Sequence, residues 1–176
     1  IFYDERGRIV QSRSNNNLLG EERRHMAYDF TGNIIKSYYH HYSYPEEINE
    51  QQIRVEEFFT YDHANRLLQV EHKIDEQDKV ILVDHQYDLL GRLKEKNLHS
   101  TNEGDTYLQS IDYHYNIKDW LVRINDLYPL RPVLPGEEPP FNPVSVEDNQ
   151  DLFSMNFDYD FGGNIRKLEW LTAPHD

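Results

Sequence analysis

The stretch LFSMNFDY, residues 152–159, alternates strictly. Phe153, Met155, Phe157 and Tyr159 are apolar or aromatic, and Ser154, Asn156 and Asp158 between them are polar. A period of two predicts a β-strand with one face packed and the other toward water. Ile81, Val83 and Tyr87 share a parity, as do Tyr107, Ile111, Tyr113 and Tyr115. Two runs are less regular: Leu67 is followed by Leu68, Val70 and Ile74, and Leu121 by Val122 and Ile124. Either a bulge in these strands or partial cover on their opposite face accounts for the break.

Several of the alternating runs lead into one recurring string. Six copies align on Tyr3, Tyr28, Tyr61, Tyr87, Tyr115 and Tyr159. The next residue is Asp4, Asp29, Asp62, Asp88, Asn116 or Asp160. Four residues after each tyrosine stand Gly7, Gly32, Asn65, Gly91, Asp119 and Gly163; six after it stand Ile9, Ile34, Leu67, Leu93, Leu121 and Ile165. Chance gives about one Tyr-Asp pair at this composition, whereas five are present, so the string is a repeat. Where glycine is missing, asparagine or aspartate replaces it, the residues that best tolerate positive φ. An Asp or Asn suits the first position of a type I turn, where its side chain accepts backbone N–H groups. A type I turn followed by a left-handed residue is the three-residue hairpin loop with a G1 bulge. The string therefore predicts a β-hairpin in which the tyrosine lies opposite the Ile or Leu. The Asp lies on the other face, opposite Arg8, Arg66 or Arg92 in three copies and Asn33 or Asn164 in two.

The connections fit a meander. Ile74–Lys79, IDEQDK, predicts a tight polar turn, and His99–Thr106, HSTNEGDT, a looser one containing glycine. Gln11–Arg24 reads as a polar loop. Tyr128–Gln150 holds six of the eight prolines, which excludes a central strand and predicts an exposed loop insertion at 128–150 within one repeat array, 1–176. The expected fold is all-β: an antiparallel meander of about a dozen strands, forming a curved ribbon with no helix longer than a turn or two.

Composition changes this picture in two ways. Mean hydropathy is −0.86, yet 13% of residues are aromatic, including 13 Tyr and 8 Phe. Disordered chains lack aromatics, so the polarity points to an extended sheet with a wet face. The formal net charge of −14 disfavours nucleic acid and anionic membrane surfaces as partners. There are no cysteines, no apolar run long enough for a membrane helix and no visible signal peptide. The chain opens inside a copy of the string, which reads as a piece of a longer protein.

The motif Y-D-x-x-G-[RN]-[IL] at loose intervals resembles the YD repeat of Rhs proteins, found also in bacterial Tc-toxin shell subunits and animal teneurins. Tyr113–Asp126, YHYNIKDWLVRIND, resembles the variant common in Bacteroidetes Rhs-family proteins. The resemblance covers nearly the whole chain apart from the proline-rich loop. It implies a segment of a hollow shell of hairpins that encloses a toxic C-terminal polypeptide, or part of a cell-surface adhesion ectodomain. It also implies a secreted or cell-surface location. The family's self-cleaving core segment, with its aspartates, has no match here, so self-cleavage and toxin activity are not carried over.

Sharper chemistry finds little support. Asn156, Asp158 and Asp160 are spaced like a calcium loop, but the glycine comes one residue late and Lys167 stands where the bidentate glutamate belongs. His40 and His41 are adjacent and point to opposite faces of a strand, a poor chelate. No nucleophile elbow or phosphate loop is present. The expectation is a non-catalytic structural segment without cofactor or metal. Its partners would be the remaining repeats of a parent protein and an enclosed polypeptide. The alternative is a recognition module binding glycans or proteins, for which Tyr38, Tyr39, Tyr42 and Tyr44 in SYYHHYSYP are the candidate surface. The two outer strands should be open to pairing with a second copy.

Overall fold

A computed structural model describes residues 1–17, 19–43, 51–125 and 151–172. The proline-rich loop 128–150 and Tyr44 lie outside these residues. Among the described residues the chain is all-β and without helix. The strands are β1 (Phe2–Tyr3), β2 (Ile9–Asn15), β3 (Glu21–Tyr28), β4 (Ile34–Ser43), β5 (Gln51–Tyr61), β6 (Leu67–Ile74), β7 (Val80–Tyr87), β8 (Leu93–Ser100), β9 (Gln109–Tyr115), β10 (Leu121–Ile124), β11 (Phe153–Tyr159) and β12 (Ile165–Thr172). They form one sheet in strict sequence order, an open antiparallel meander that does not close into a barrel. The strands fall into two compact units, Ile1–His85 with Leu98–Tyr107 and Gln86–Asn97 with Leu108–Asp176. The first unit carries the string at Tyr3, Tyr28 and Tyr61, the second at Tyr87, Tyr115 and Tyr159.

The predicted register holds in every string copy whose pairing is resolved: Tyr3 faces Ile9, Tyr28 Ile34, Tyr61 Leu67, Tyr115 Leu121 and Tyr159 Ile165. The irregular pattern after the turns is a bulge. Thr60 faces Gln69 while Tyr61 faces Leu67, which leaves Leu68 as the extra residue. Val10, Ile35, Val122 and Arg166 occupy the same place in other copies. One extra residue inverts the face of everything after it. Val70, His72 and Ile74 thus join Leu67 on the face of Tyr61 and Phe59.

Three sequence expectations need correction. Gln11–Arg24 is not a loop: β2 and β3 occupy most of it and pair from Gln11↔His25 to Asn15↔Glu21. Its side chains are polar on both faces, so the two-residue period is invisible in hydropathy. Ile81 and Val83 do not share a face. Val83 is opposite Val70 and Ile81 opposite Glu71, because β7 carries its own extra residue between them. Tyr107 lies outside β9, and its hydroxyl donates to Asp84 Oδ2 at 3.0 Å.

Packing is unusual for a chain of this length. Among the described residues the one buried apolar side chain is Ile81, at 6% exposure. The buried polar residues include Ser37, His40, Asn97, Ser100, Asn125 and Ser154. Stability therefore comes from half-buried cross-strand pairs, each contributing roughly 0.2–1 kcal/mol, rather than from a sealed core. Phe58 illustrates this: the ammonium groups of Lys36 and Lys79 stand 4.9 and 3.9 Å from its ring centroid, covering it with cations and aliphatic stems.

Candidate functional site

The six turns are built alike. The residue four after each tyrosine has positive φ in every copy: Gly7 75°, Gly32 105°, Asn65 60°, Gly91 85°, Asp119 62° and Gly163 86°. Its N–H donates to the carbonyl of the Asp or Asn, and that residue's own N–H donates to the carbonyl of the residue after the left-handed position. These two bonds, 2.9–3.4 Å long, define the type I turn with G1 bulge. The side chain closes the loop. Oδ1 of Asp4, Asp62 and Asp88 accepts two backbone N–H groups, and Oδ2 accepts Nε of Arg8, Arg66 or Arg92 at 2.6–2.7 Å. Asp160 does the same with Gly162 and Asn164, and Asn116 caps Lys118 N and Trp120 N with its single oxygen.

These bonds hold the turn carboxylates ionised. Asp4, Asp62 and Asp88 lie below the ordinary range, chiefly through the N–H of the arginine four residues on; Asp160 does so chiefly through the Asn164 amide. Asp29 falls to about 2, first through the Thr31 hydroxyl and then through Asn33 and Gly32. A carboxylate with a depressed native pKa binds fewer protons folded than unfolded. Its stabilisation is present above the unfolded value near pH 4 and is lost as pH falls through the native value. Below about pH 4 the urea midpoint should therefore fall steadily toward pH 2. A midpoint that rises on acidification below pH 4 would contradict the turn geometry.

What sequence reasoning missed is the link between successive hairpins. The Tyr28 hydroxyl donates to the carbonyl of Ile9 at 2.8 Å, Tyr61 to Ile34 at 3.0 Å and Tyr159 to Leu121 at 2.6 Å. Each acceptor is the Ile or Leu that faces the tyrosine of the preceding copy. The arginines reach forward in the same sense. Arg8 Cζ lies 4.5 Å from the Tyr28 ring centroid and Arg92 Cζ 4.8 Å from that of Tyr115. Arg8 Nη1 donates to the Asp29 carbonyl, and Arg92 Nη1 to Asp119 Oδ1 at 2.6 Å. Asn33 reaches Asn65 at 3.0 Å. Turn, arginine and tyrosine thus form a ladder along one edge within each unit. The signal was in the sequence, since no copy replaces tyrosine with phenylalanine. Tyr61→Phe should cost about 1 kcal/mol by urea unfolding, whereas Tyr3→Phe, in the exposed first copy, should be silent. Equal effects at both positions would contradict the link.

A second recurrence was also missed. Asp75, φ 48°, follows Ile74 and pairs with Arg54 by its N–H and Oδ1; Asn125, φ 55°, follows Ile124 and pairs with Asp112 in the same way. An Asx residue in the left-handed region thus ends the second strand and bonds across to the first.

The tyrosine-rich strand splits by face. Tyr38 and Tyr42 flank His40, with ring centroids 5.8 and 3.8 Å away, on the face of the Asp–Arg pairs. Tyr39 is opposite Arg24 on the other face, where it lines a shallow polar cleft with Ser12, Ser14, Glu22 and Arg24. Burial, then Glu22, pushes the Tyr39 hydroxyl above its usual range. The three tyrosines are therefore not one surface. The larger exposed apolar groups are instead at the turn tips: Phe30, Leu89, Ile117 and Phe161, all nearly or fully exposed.

No family model matches the chain, and no curated protein matches it.

Proposed function

We propose that the chain is a non-catalytic wall segment of an Rhs-type, YD-repeat shell, secreted or displayed at a bacterial surface, that encloses or presents a partner polypeptide such as a C-terminal toxin. The observation that carries this reading is the combination of serial hairpin links with a sheet that buries a single apolar side chain among the described residues. A globular domain organises itself around a core. A wall needs neighbour-to-neighbour bonds along its length and two accessible faces. Treating the intact parent protein with proteinase K tests the proposal. A polypeptide protected beside the repeats, and lost when Tyr28, Tyr61 and Tyr159 are all changed to alanine, is the expected result. No protected fragment would contradict it.

The exposed turn tips of the second unit favour a second reading, a recognition module that binds proteins or glycans through Leu89, Ile117 and Phe161. A glycan array probed with the isolated chain separates the two: the wall reading expects no binding, and selective binding that Phe161→Ser weakens would replace it.

A further inference from the structure

On the face of the Asp–Arg pairs, one cross-strand row runs through four strands of the first unit. Arg13 on β2 is opposite Arg23 on β3, Arg23 is opposite His40 on β4, and His40 is opposite Arg54 on β5. Cations directly opposite one another weaken a strand pair. The row holds because an imidazole separates Arg23 from Arg54. His40 is 6% exposed, with its ring against Tyr42, Tyr38 edge-on beside it and Nε2 3.3 Å from Gln52 Oε1. The carboxylates around it are engaged elsewhere. Glu21 pairs with Arg13 and Arg23, Glu56 with Lys36, and Asp75 Oδ1 accepts the backbone N–H of Arg54. Lys73 is opposite Glu56, and His25, on the far side of Tyr38, is exposed.

We propose that His40 is an acid-sensitive latch: when its ring takes up a proton, three positive charges stand side by side on β3, β4 and β5, and β4 separates from both neighbours. The protonated ring would face an arginine on each side with little water to screen the repulsion, and Gln52 offers it only a neutral oxygen. Burial first, and then Arg54 and Arg23, hold the His40 imidazole below its usual range, against the opposing pulls of Gln52 and Asp75. A histidine that is harder to protonate folded than unfolded contributes stability that is present above its unfolded value, about pH 6.5, and lost as pH falls through the native value. The turn carboxylates respond below about pH 4, so the two effects are separate in pH. No sealed core holds β4 once the row repels, since Ile81 is the one buried apolar side chain among the described residues. The opening therefore stays local to the strands that carry the row. The latch rests on strand pairing and does not depend on the wall reading.

Native-state hydrogen exchange on the whole chain at about pH 7.5 and about pH 5.5, with rates corrected for their intrinsic pH dependence, tests the latch. The opening constants of the β4 amides should rise several-fold at the lower pH, with β3 and β5 following and β11 and β12 unchanged. In His40→Phe, which keeps a ring against Tyr42 but takes no proton, most of that rise should be lost. In Arg54→Gln, which removes one facing cation from an exposed position, it should shrink. Circular dichroism at the higher pH shows whether each variant folds; where His40→Phe does not, Arg54→Gln decides. Equal opening of β4 at both pH values in the wild-type chain, a full rise retained in either folded variant, or an equal rise in β11 and β12 would each overturn the proposal.

Discussion

Gly20→Ala should destabilise the first unit by about 3 kcal/mol, the upper end of the cost of overpacking. A Cβ at Gly20 would lie 1.9 Å from the carbonyl oxygen of Tyr42, 2.6 Å from its carbon and 2.9 Å from Ser43 Cα. All three obstacles are backbone, so no side-chain rotation relieves them. The same carbonyl accepts Asn16 Nδ2 at 2.7 Å, and Asn16 Oδ1 accepts Gly20 N at 2.9 Å. Moving the Tyr42 peptide to admit a methyl therefore breaks the junction at which β2 turns into β3 and both meet the end of β4. Urea unfolding gives the magnitude, and amide chemical shifts should change most from Asn15 to Ser43. A loss under about 0.5 kcal/mol, the size expected of an ordinary surface substitution, would mean that this close approach does not exist in solution.

Asn125→Ala should cost about 2–3 kcal/mol, because it strips partners from two part-buried backbone groups at once. Asn125 is fully buried; its Oδ1 accepts Asp112 N at 2.8 Å and its Nδ2 donates to the Phe153 carbonyl at 2.9 Å. It joins β9 to β11 across the end of the short strand β10. Burial, and then Glu95, already pushes the Asp112 carboxyl above its usual range, so the pocket has little tolerance for another unsatisfied polar group. Asn125→Gly separates the two roles of the residue. It keeps the left-handed backbone but lacks the amide, and should still lose most of the stability. If Asn125→Gly unfolds at the wild-type urea concentration, the amide bonds contribute nothing and strain alone is at stake.

The two substitutions mark where sequence reading stops. The turn at Gly32 or Asn65 is legible because three positions at fixed offsets must all be satisfied, and their replacements keep the same backbone freedom. The tyrosine opposite Ile or Leu follows from that turn alone. Gly20 is silent in the sequence: β2 and β3 are polar on both faces, so nothing separates Gln11–Arg24 from a loop until pairing partners are known. The same lack of a core hides the face inversion after Leu67. A buried face would have demanded an unbroken alternation, whereas a half-exposed one tolerates Leu68 as an extra residue. The hydroxyl bonds of Tyr28, Tyr61 and Tyr159 span two hairpins, and no spacing within a single copy predicts them. Tyr38, Tyr39 and Tyr42 looked like one surface because aromatic clustering along a strand ignores which side each ring takes.

The central claim is that hairpins hold their neighbours in series without a shared core. Native-state hydrogen exchange on Gly32→Val tests it most directly, because β-branching at φ 105° strains one turn while nothing lies within 4 Å of the added Cβ. In a serial ladder, exchange should accelerate in β3 and β4, less in the adjoining β2 and β5, and stay at the wild-type rate in β6. A uniform acceleration from β2 through β6, as expected of a unit that opens around one cooperative core, would contradict it.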